Sequence, residues 1–229
     1  MHPQHLIFDA DDTLWENNIY FEDAFDRFCA FLNHSKLTPD QIRATLDEIE
    51  IVNNKIHGYG AKNFARNLAQ CYRHLCERGI EEDDVKQVMA FAEEILNAPM
   101  ELMPGVEETL ARLGEAHELT LFTKGNDEEQ HGKINRSGLR SYFDHCEIVK
   151  EKNSPAYRAL AEHRAFDLDR TWMIGNSPKS DINPALEAGL RAVFIPHERT
   201  WTLEREEVPS KHERLVCIKT FSDLARIFL

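Results

Sequence analysis

Apolar residues along this chain follow two different patterns. In the first, short apolar runs without alternation end in polar or turn-forming residues. These runs are His5-Leu-Ile-Phe-Asp9, Glu118-Leu-Thr-Leu-Phe-Thr123, Glu147-Ile-Val149, Thr171-Trp-Met-Ile-Gly175, Arg191-Ala-Val-Phe-Ile-Pro196 and Leu215-Val-Cys-Ile218. Runs of this kind predict strands buried on both faces, as in a parallel sheet. Helical spacing fills most of the gaps. Val106, Leu110 and Leu113 follow Pro104-Gly105, and Asp181 leads through Pro184 to a stop at Gly189. Strand–helix alternation predicts an α/β fold with a doubly wound parallel sheet.

The second pattern occupies residues 17–98. Phe21, Phe25, Phe28 and Leu32 form one helical face. Thr38-Pro39-Asp40-Gln41 has the form of a capping box with proline at the first helical position, and Ile42, Leu46 and Ile49 follow it. Phe64, Leu68, Cys71 and Leu75 make a third face that stops before Gly79. Val85, Val88, Met89, Ala92, Ile95 and Leu96 make a fourth, ended by Pro99. The expected organisation is a core domain from residues 1–16 and 99–229, with a helical bundle of residues 17–98 inserted after the first strand as a lid.

Charge narrows the partners. A net charge of -13 and 40 acidic against 27 basic residues disfavour nucleic acid polymers and anionic membranes, which require basic surface. Phosphate remains accessible where lysine, backbone N–H groups or a metal reverse the local field. Five cysteines without paired short spacing suit a reducing compartment. No apolar stretch reaches the roughly 18 residues of a membrane span, and the first residues lack a signal-peptide pattern. The expectation is a cytoplasmic, soluble protein.

The chemistry gathers at predicted strand ends. The first strand ends in Asp9-Ala-Asp11-Asp12-Thr13-Leu14, and ligands of open parallel sheets sit beyond the carboxyl ends of the strands. Two carboxylates one residue apart in a tight turn need a metal, a proton or a cationic side chain nearby. Thr123, Lys152, and Asn176 with Asp181 lie at three further strand ends. In this order the four groups resemble the motifs of the haloacid dehalogenase (HAD) superfamily, and the helical insertion resembles its C1 cap. The resemblance covers nearly the whole chain.

That resemblance implies a magnesium-dependent phosphohydrolase acting on a small phosphorylated metabolite. Asp9 would be the nucleophile and Asp11 the general acid and base. Asp9, the Asp11 carbonyl, Asn176 and Asp181 would hold Mg²⁺, while Thr123 and Lys152 would hold the phosphoryl oxygens. Many relatives carry an acid where this chain has Asn176, so one metal-site charge is missing. Asp11 disfavours a haloacid dehalogenase, because carbon–halogen cleavage needs no proton for an alcohol. A nucleotidase of the same superfamily and a weakly catalytic binding protein remain as alternatives.

Other positions are weighed on spacing. Lys150 competes with Lys152, which is preferred because it precedes Tyr157 by five residues. Lys124 is a candidate phosphate neighbour or a solvated side chain. Asp12 reads as a turn or capping residue, Thr13 as support for Asp11, and Glu204-Arg-Glu-Glu207 as a solvated face. Two glycines around Tyr59 break the helical insertion, making His57, Tyr59 and Lys62 candidate substrate contacts, or simply parts of a helix–helix turn. His197-Glu-Arg199-Thr-Trp201 would form a rim after the fifth strand, without the spacing of a zinc site.

Overall fold

A computed structural model describes residues 2–229 and divides them into two compact units. One comprises Met100–Leu229 with the chain up to Asn18, and the other is Ile19–Pro99. The first holds six parallel strands: β1 (His5–Phe8), β2 (Glu118–Lys124), β3 (His145–Val149), β4 (Thr171–Gly175), β5 (Arg191–Phe194) and β6 (Leu215–Cys217). Their order across the sheet is β3-β2-β1-β4-β5-β6. The direction of winding therefore reverses between β1 and β4, opening a crevice at their carboxyl ends.

The unalternating apolar runs have a direct cause. Leu6 and Phe8 enter one hydrophobic cluster with Val106, Leu110 and Leu113 of helix α5 (Val106–Gly114, the fifth helix) and Ile134 of α6 (Asp127–Ser137). Ile7 enters the opposite cluster with Tyr157 and Leu160 of α7 (Ser154–Arg164) and Ala185 of α8 (Asn183–Glu187). Both faces of β1 are covered, so successive side chains are apolar although they point in opposite directions. Burying each large side chain contributes about 2 kcal/mol. A short last helix, α9 (Ala225–Phe228), adds Phe228 to the first cluster.

The pairing register aligns the strand ends. Phe8 stands beside Leu121 of β2 and Ile174 of β4, and the Asp9 N–H donates to the Ile174 carbonyl at 2.9 Å. Residues immediately following β1 and β4 thus emerge together. One expectation is adjusted here: the helix after β4 starts with a π turn at Pro178–Ile182 before α8.

The second unit is built on α1 (Asn18–Leu32), whose first residue belongs to the sheet unit, α2 (Pro39–His57), α3 (Ala61–Leu75) and α4 (Glu82–Glu93). Phe28, Leu46, Leu68, Tyr72 and Val88 are fully buried in its core. The capping box is formed: Gln41 N–H donates to Thr38 Oγ1 at 3.3 Å, and Thr38 N–H to Gln41 Oε1 at 3.0 Å. The fourth apolar face runs past α4 into a 3₁₀ turn, Glu94–Asn97, before Pro99. Among the described residues, no helix is long and apolar enough to cross a membrane.

Candidate active site

The turn after β1 is folded back on itself. Leu14 N–H donates to the Ala10 carbonyl at 2.8 Å, and Asp12 N–H donates to the Trp15 carbonyl at 2.8 Å. Asp12 takes a left-handed conformation, φ +60°, which aspartate tolerates better than most residues. Its carboxylate accepts the Asn17 and Asn18 N–H groups at 2.9 Å each, at the start of α1. Burial, with the charges of Asp11 and Asp9, outweighs these two bonds and pushes the Asp12 carboxyl up to about 7. Thr13 departs from expectation. Its hydroxyl reaches Asp9 Oδ2 at 3.0 Å and Asn176 Oδ1 at 3.2 Å, so it supports Asp9 rather than Asp11.

Beside Asp9 lies a buried charge cluster. Lys152 Nζ binds Asp9 Oδ1 and Asp181 Oδ1 at once. Lys152 is buried against both carboxylates, whereas Lys150 is exposed. Burial disfavours the ammonium, but the Asp181 and Asp9 carboxylates overcome it and hold Lys152 above the ordinary lysine range. Asp181 has no exposed surface; burial and the Asp9 charge raise its carboxyl to about 7 against the pull of Lys152 and the Ser177 N–H. Gly175 makes the close approach possible. A Cβ there would lie 2.3 Å from Asp181 Oδ2.

This donor set fits a hard divalent cation. Asp9, Asp181, the Asn176 amide and the Asp11 carbonyl present oxygen, as Mg²⁺ prefers. Asp9 and Asp181 share the single ammonium of Lys152 in a buried place, which leaves one negative charge in excess when both are ionised. Asn176 is oriented by Thr13 on its oxygen and by Thr200 Oγ1, 3.4 Å from its Nδ2.

Asp11 faces other partners. Trp15 Nε1 donates to its Oδ1 at 2.8 Å, and Lys133 Nζ lies 2.7 and 2.5 Å from its two oxygens. Gln130 Nε2 reaches Asp11 Oδ2 at 3.1 Å and Thr123 Oγ1 at 2.8 Å. Thr123 itself is buried. Sequence reasoning passed over Gln130 and Lys133, because α6 is polar along most of its length. The available signal was their place beside buried Ile134, on the inward face of that helix.

Two expectations change with Glu204. Lys124 is not solvated: its Nζ lies 2.5 Å from Glu204 Oε1 and 2.8 Å from Ser180 Oγ. Nor is Glu204 part of a solvated face. It is buried, accepts the Ser177 hydroxyl at 2.6 Å, and against its desolvation the Lys124 charge holds it below the usual carboxylate range. The pair ties the end of β2 to the turn after β4. The segment after β5 also closes inward, with Arg199 carbonyl accepting from Asn18 Nδ2 at 2.6 Å and His197 Nε2 lying 3.4 Å from Glu16 Oε2.

The structure therefore brings Asp9, Asp11, Thr123, Lys152, Asn176 and Asp181 to one end of one sheet. His57, Tyr59 and Lys62 belong to the helical unit, on the turn between α2 and α3. His57 and Lys62 are exposed and Tyr59 is half-buried. Gly58 and Gly60, at φ +77° and +119°, permit the turn.

Known proteins resemble this chain in sequence and in fold. The family model for haloacid dehalogenase-like hydrolases matches residues 6–195. Pyrimidine 5'-nucleotidase YjjG of Escherichia coli is 29% identical over 142 residues, covering 52% of this chain and 63% of that relative. The match thus spans less than two thirds of that relative's length. A haloacid dehalogenase-like hydrolase from Xanthomonas campestris superposes with a TM-score of 0.84 at 28% identity, covering 99% of this chain and 96% of the other. YfnB from Bacillus subtilis, a HAD hydrolase solved bound to magnesium, shares the fold with a TM-score of 0.67 at 20% identity, covering 100% and 99%.

Proposed function

The chain belongs to the haloacid dehalogenase-like hydrolases, and from that premise we propose that it hydrolyses small phosphomonoesters with Mg²⁺ through an aspartyl-phosphate. The observation that carries this reading is Asp11, a carboxyl group two residues beyond the proposed nucleophile and held by Trp15, Lys133 and Gln130. An alcohol leaving group needs a proton; a halide does not.

Asp9 attacks phosphorus, forming an O–P bond as the bond to the leaving oxygen breaks. Asp11 gives that oxygen its proton, then removes one from the water that opens the aspartyl-phosphate. Thr123 and Lys152 donate to the phosphoryl oxygens, where negative charge is concentrated in transfer. Thr13 holds Asp9 at one carboxylate oxygen, leaving the group oriented for attack. A divalent cation on Asp9, Asp181, Asn176 and the Asp11 carbonyl would supply further charge neutralisation when bound.

Charge supports the assignment. With Asp11 ionised, Asp9, Asp11 and Asp181 face Lys152 and Lys133 with one negative charge in excess, and with Asp11 carrying the proton it donates the two carboxylates and two ammoniums balance. In either state a divalent cation makes the site net positive, which favours a phosphate dianion.

The similarity to a pyrimidine 5'-nucleotidase favours nucleoside monophosphates as the first substrates to try. His57, Tyr59 and Lys62 of the helical unit are the proposed selectors of the leaving group. The five free thiols and the acidic charge accord with a cytoplasmic location.

The test is phosphate release from nucleotides, sugar phosphates, small organic phosphates and an aryl phosphate, with Mg²⁺ and with EDTA. Release that needs the metal and falls at least about 1,000-fold in Asp9→Asn is expected. Undiminished release by Asp9→Asn would remove the nucleophile, and halide release from 2-chloropropionate would replace the reading with a dehalogenase.

A further inference from the structure

The contacts that α6 makes go to the reacting groups themselves. Gln130 and Lys133 are one turn apart, on the same side of the helix. Gln130 is 3% exposed, and its Nε2 faces three acceptors: Thr123 Oγ1 at 2.8 Å, Lys124 carbonyl at 2.9 Å and Asp11 Oδ2 at 3.1 Å. A carbonyl and a carboxylate only accept, so the amide must present its NH₂ end to the site. The two N–H bonds are shared among the three acceptors, and because an amide nitrogen does not accept, the Thr123 hydroxyl cannot spend its proton on Gln130 and keeps it for another oxygen. Space for the Gln130 side chain exists because residue 125 is glycine. At φ +145°, a Cβ there would meet Gln130 Cγ at 3.2 Å and Nε2 at 3.3 Å.

Lys133 completes the arrangement. Its ammonium spans both Asp11 oxygens, at 2.7 and 2.5 Å, and reaches Asn17 Oδ1 at 3.1 Å. Trp15 Nε1 approaches Asp11 Oδ1. Asp11 is thus held by donors from its own turn and from α6. A helix fastened to the sheet only for stability has backbone and apolar partners available. These two side chains instead bind the proposed acid and the proposed phosphate ligand.

We infer that Gln130 and Lys133 are positioning residues: Lys133 fixes the Asp11 carboxyl towards the leaving oxygen, and Gln130 turns the Thr123 hydroxyl outward as a donor to phosphate. The inference rests on the phosphatase reading and assigns each residue a separable effect. Loss of Lys133 misplaces proton transfer, which matters most for a poor leaving group. Loss of Gln130 frees the Thr123 proton to turn elsewhere, which weakens the hold on phosphate whatever the leaving group.

The experiment compares Lys133→Met, Lys133→Arg and Gln130→Met with the wild type on one alkyl and one aryl phosphate in Mg²⁺. Thermal unfolding of each variant checks that it is folded. Lys133→Met should lower kcat for the alkyl ester by about 100-fold and for the aryl ester by less than about fivefold. Lys133→Arg, which keeps a cation near Asp11, should recover part of the alkyl rate. Gln130→Met should weaken inhibition by inorganic phosphate by about tenfold, and because its 3.1 Å contact to Asp11 is the longest of its three, it should change the alkyl-to-aryl ratio far less than Lys133→Met does.

Equal losses on both esters in folded Lys133→Met, or unaltered phosphate inhibition in Gln130→Met, overturn the assigned role of that residue while leaving the phosphatase reading intact. A wild type that releases phosphate from neither ester nor from the wider panel overturns the reading, and the inference with it.

Discussion

Each unit contains a basic side chain that reaches two carboxylates, and the two clusters differ in how the chain assembles them. In the helical unit, Arg43 binds Asp47 at 2.8 Å and Glu50 at 2.5 Å. All three lie on α2, four and seven residues apart, so a single helix brings them together. The guanidinium also covers the Phe25 ring at 4.7 Å, and Arg43 and Asp47 keep contact with solvent. In the sheet unit, Lys152 binds Asp9 and Asp181 from three separate strand ends. No local rule requires that convergence, and it takes place where water is excluded.

A carboxyl raised to about 7, as in Asp181, marks a charge the fold does not fully compensate. Structural ion pairs tend towards local, solvated and geometrically redundant arrangements. The unbalanced cluster sits at the reversal point of the sheet, where ligands of such folds bind.

Removing the basic partner from each cluster should separate them most strongly. Lys152→Met leaves two buried carboxylates opposed, and should cost about 3–5 kcal/mol of folding stability as well as phosphatase activity. Arg43→Met leaves Asp47 in solvent but takes the cation from buried Glu50; it should cost about 1–3 kcal/mol and leave turnover of an aryl phosphate unchanged. Urea unfolding and phosphate release read both. Equal destabilisation would erase the contrast between the clusters.

Much of this arrangement was legible in the chain. The double burial of β1 shows as an unbroken apolar run, and the strand ends mark where Asp9, Thr123 and Asn176 emerge. The spacing of Lys152 from Tyr157 also has a physical basis, since the Tyr157 hydroxyl donates to the Ser180 carbonyl at 2.8 Å and ties α7 to the turn carrying Asp181. Gln130, Lys133 and Glu204 were not legible. A lysine in a polar helix and a glutamate in an acidic run look solvated until a distant strand end supplies their partners. Thr13 was assigned to the wrong aspartate because both lie within its reach along the chain, and only the fold of the turn selects Asp9.

A smaller effect tests how tightly Asp181 is held. Gly175→Ala forces a Cβ into the Asp181 carboxylate, and should cost about 2 kcal/mol while raising the Mg²⁺ concentration needed for half-maximal activity. An unchanged Mg²⁺ requirement would mean that Asp181 does not serve the metal.

The smallest expected effect concerns Asp12. Its folded value near 7 lies above the ordinary 3.8, so the folded state binds more protons between these values and stability falls as pH rises through them. Asp12→Asn keeps an oxygen for the Asn17 and Asn18 N–H groups without the charge. In EDTA it should stabilise the fold by about 1–2 kcal/mol at pH 8, with the gain disappearing towards pH 4. A gain independent of pH would contradict the buried-charge explanation.

The central claim is that Asp9 is the atom donor to phosphorus. It is tested most directly by rapid quenching during turnover of a phosphomonoester in Mg²⁺, followed by mass analysis of the peptide containing Asp9. The account predicts one acid-stable phosphoryl group on Asp9, absent from Asp9→Asn. Phosphate release with that peptide unmodified throughout turnover, or with the phosphoryl group on another residue, would contradict it.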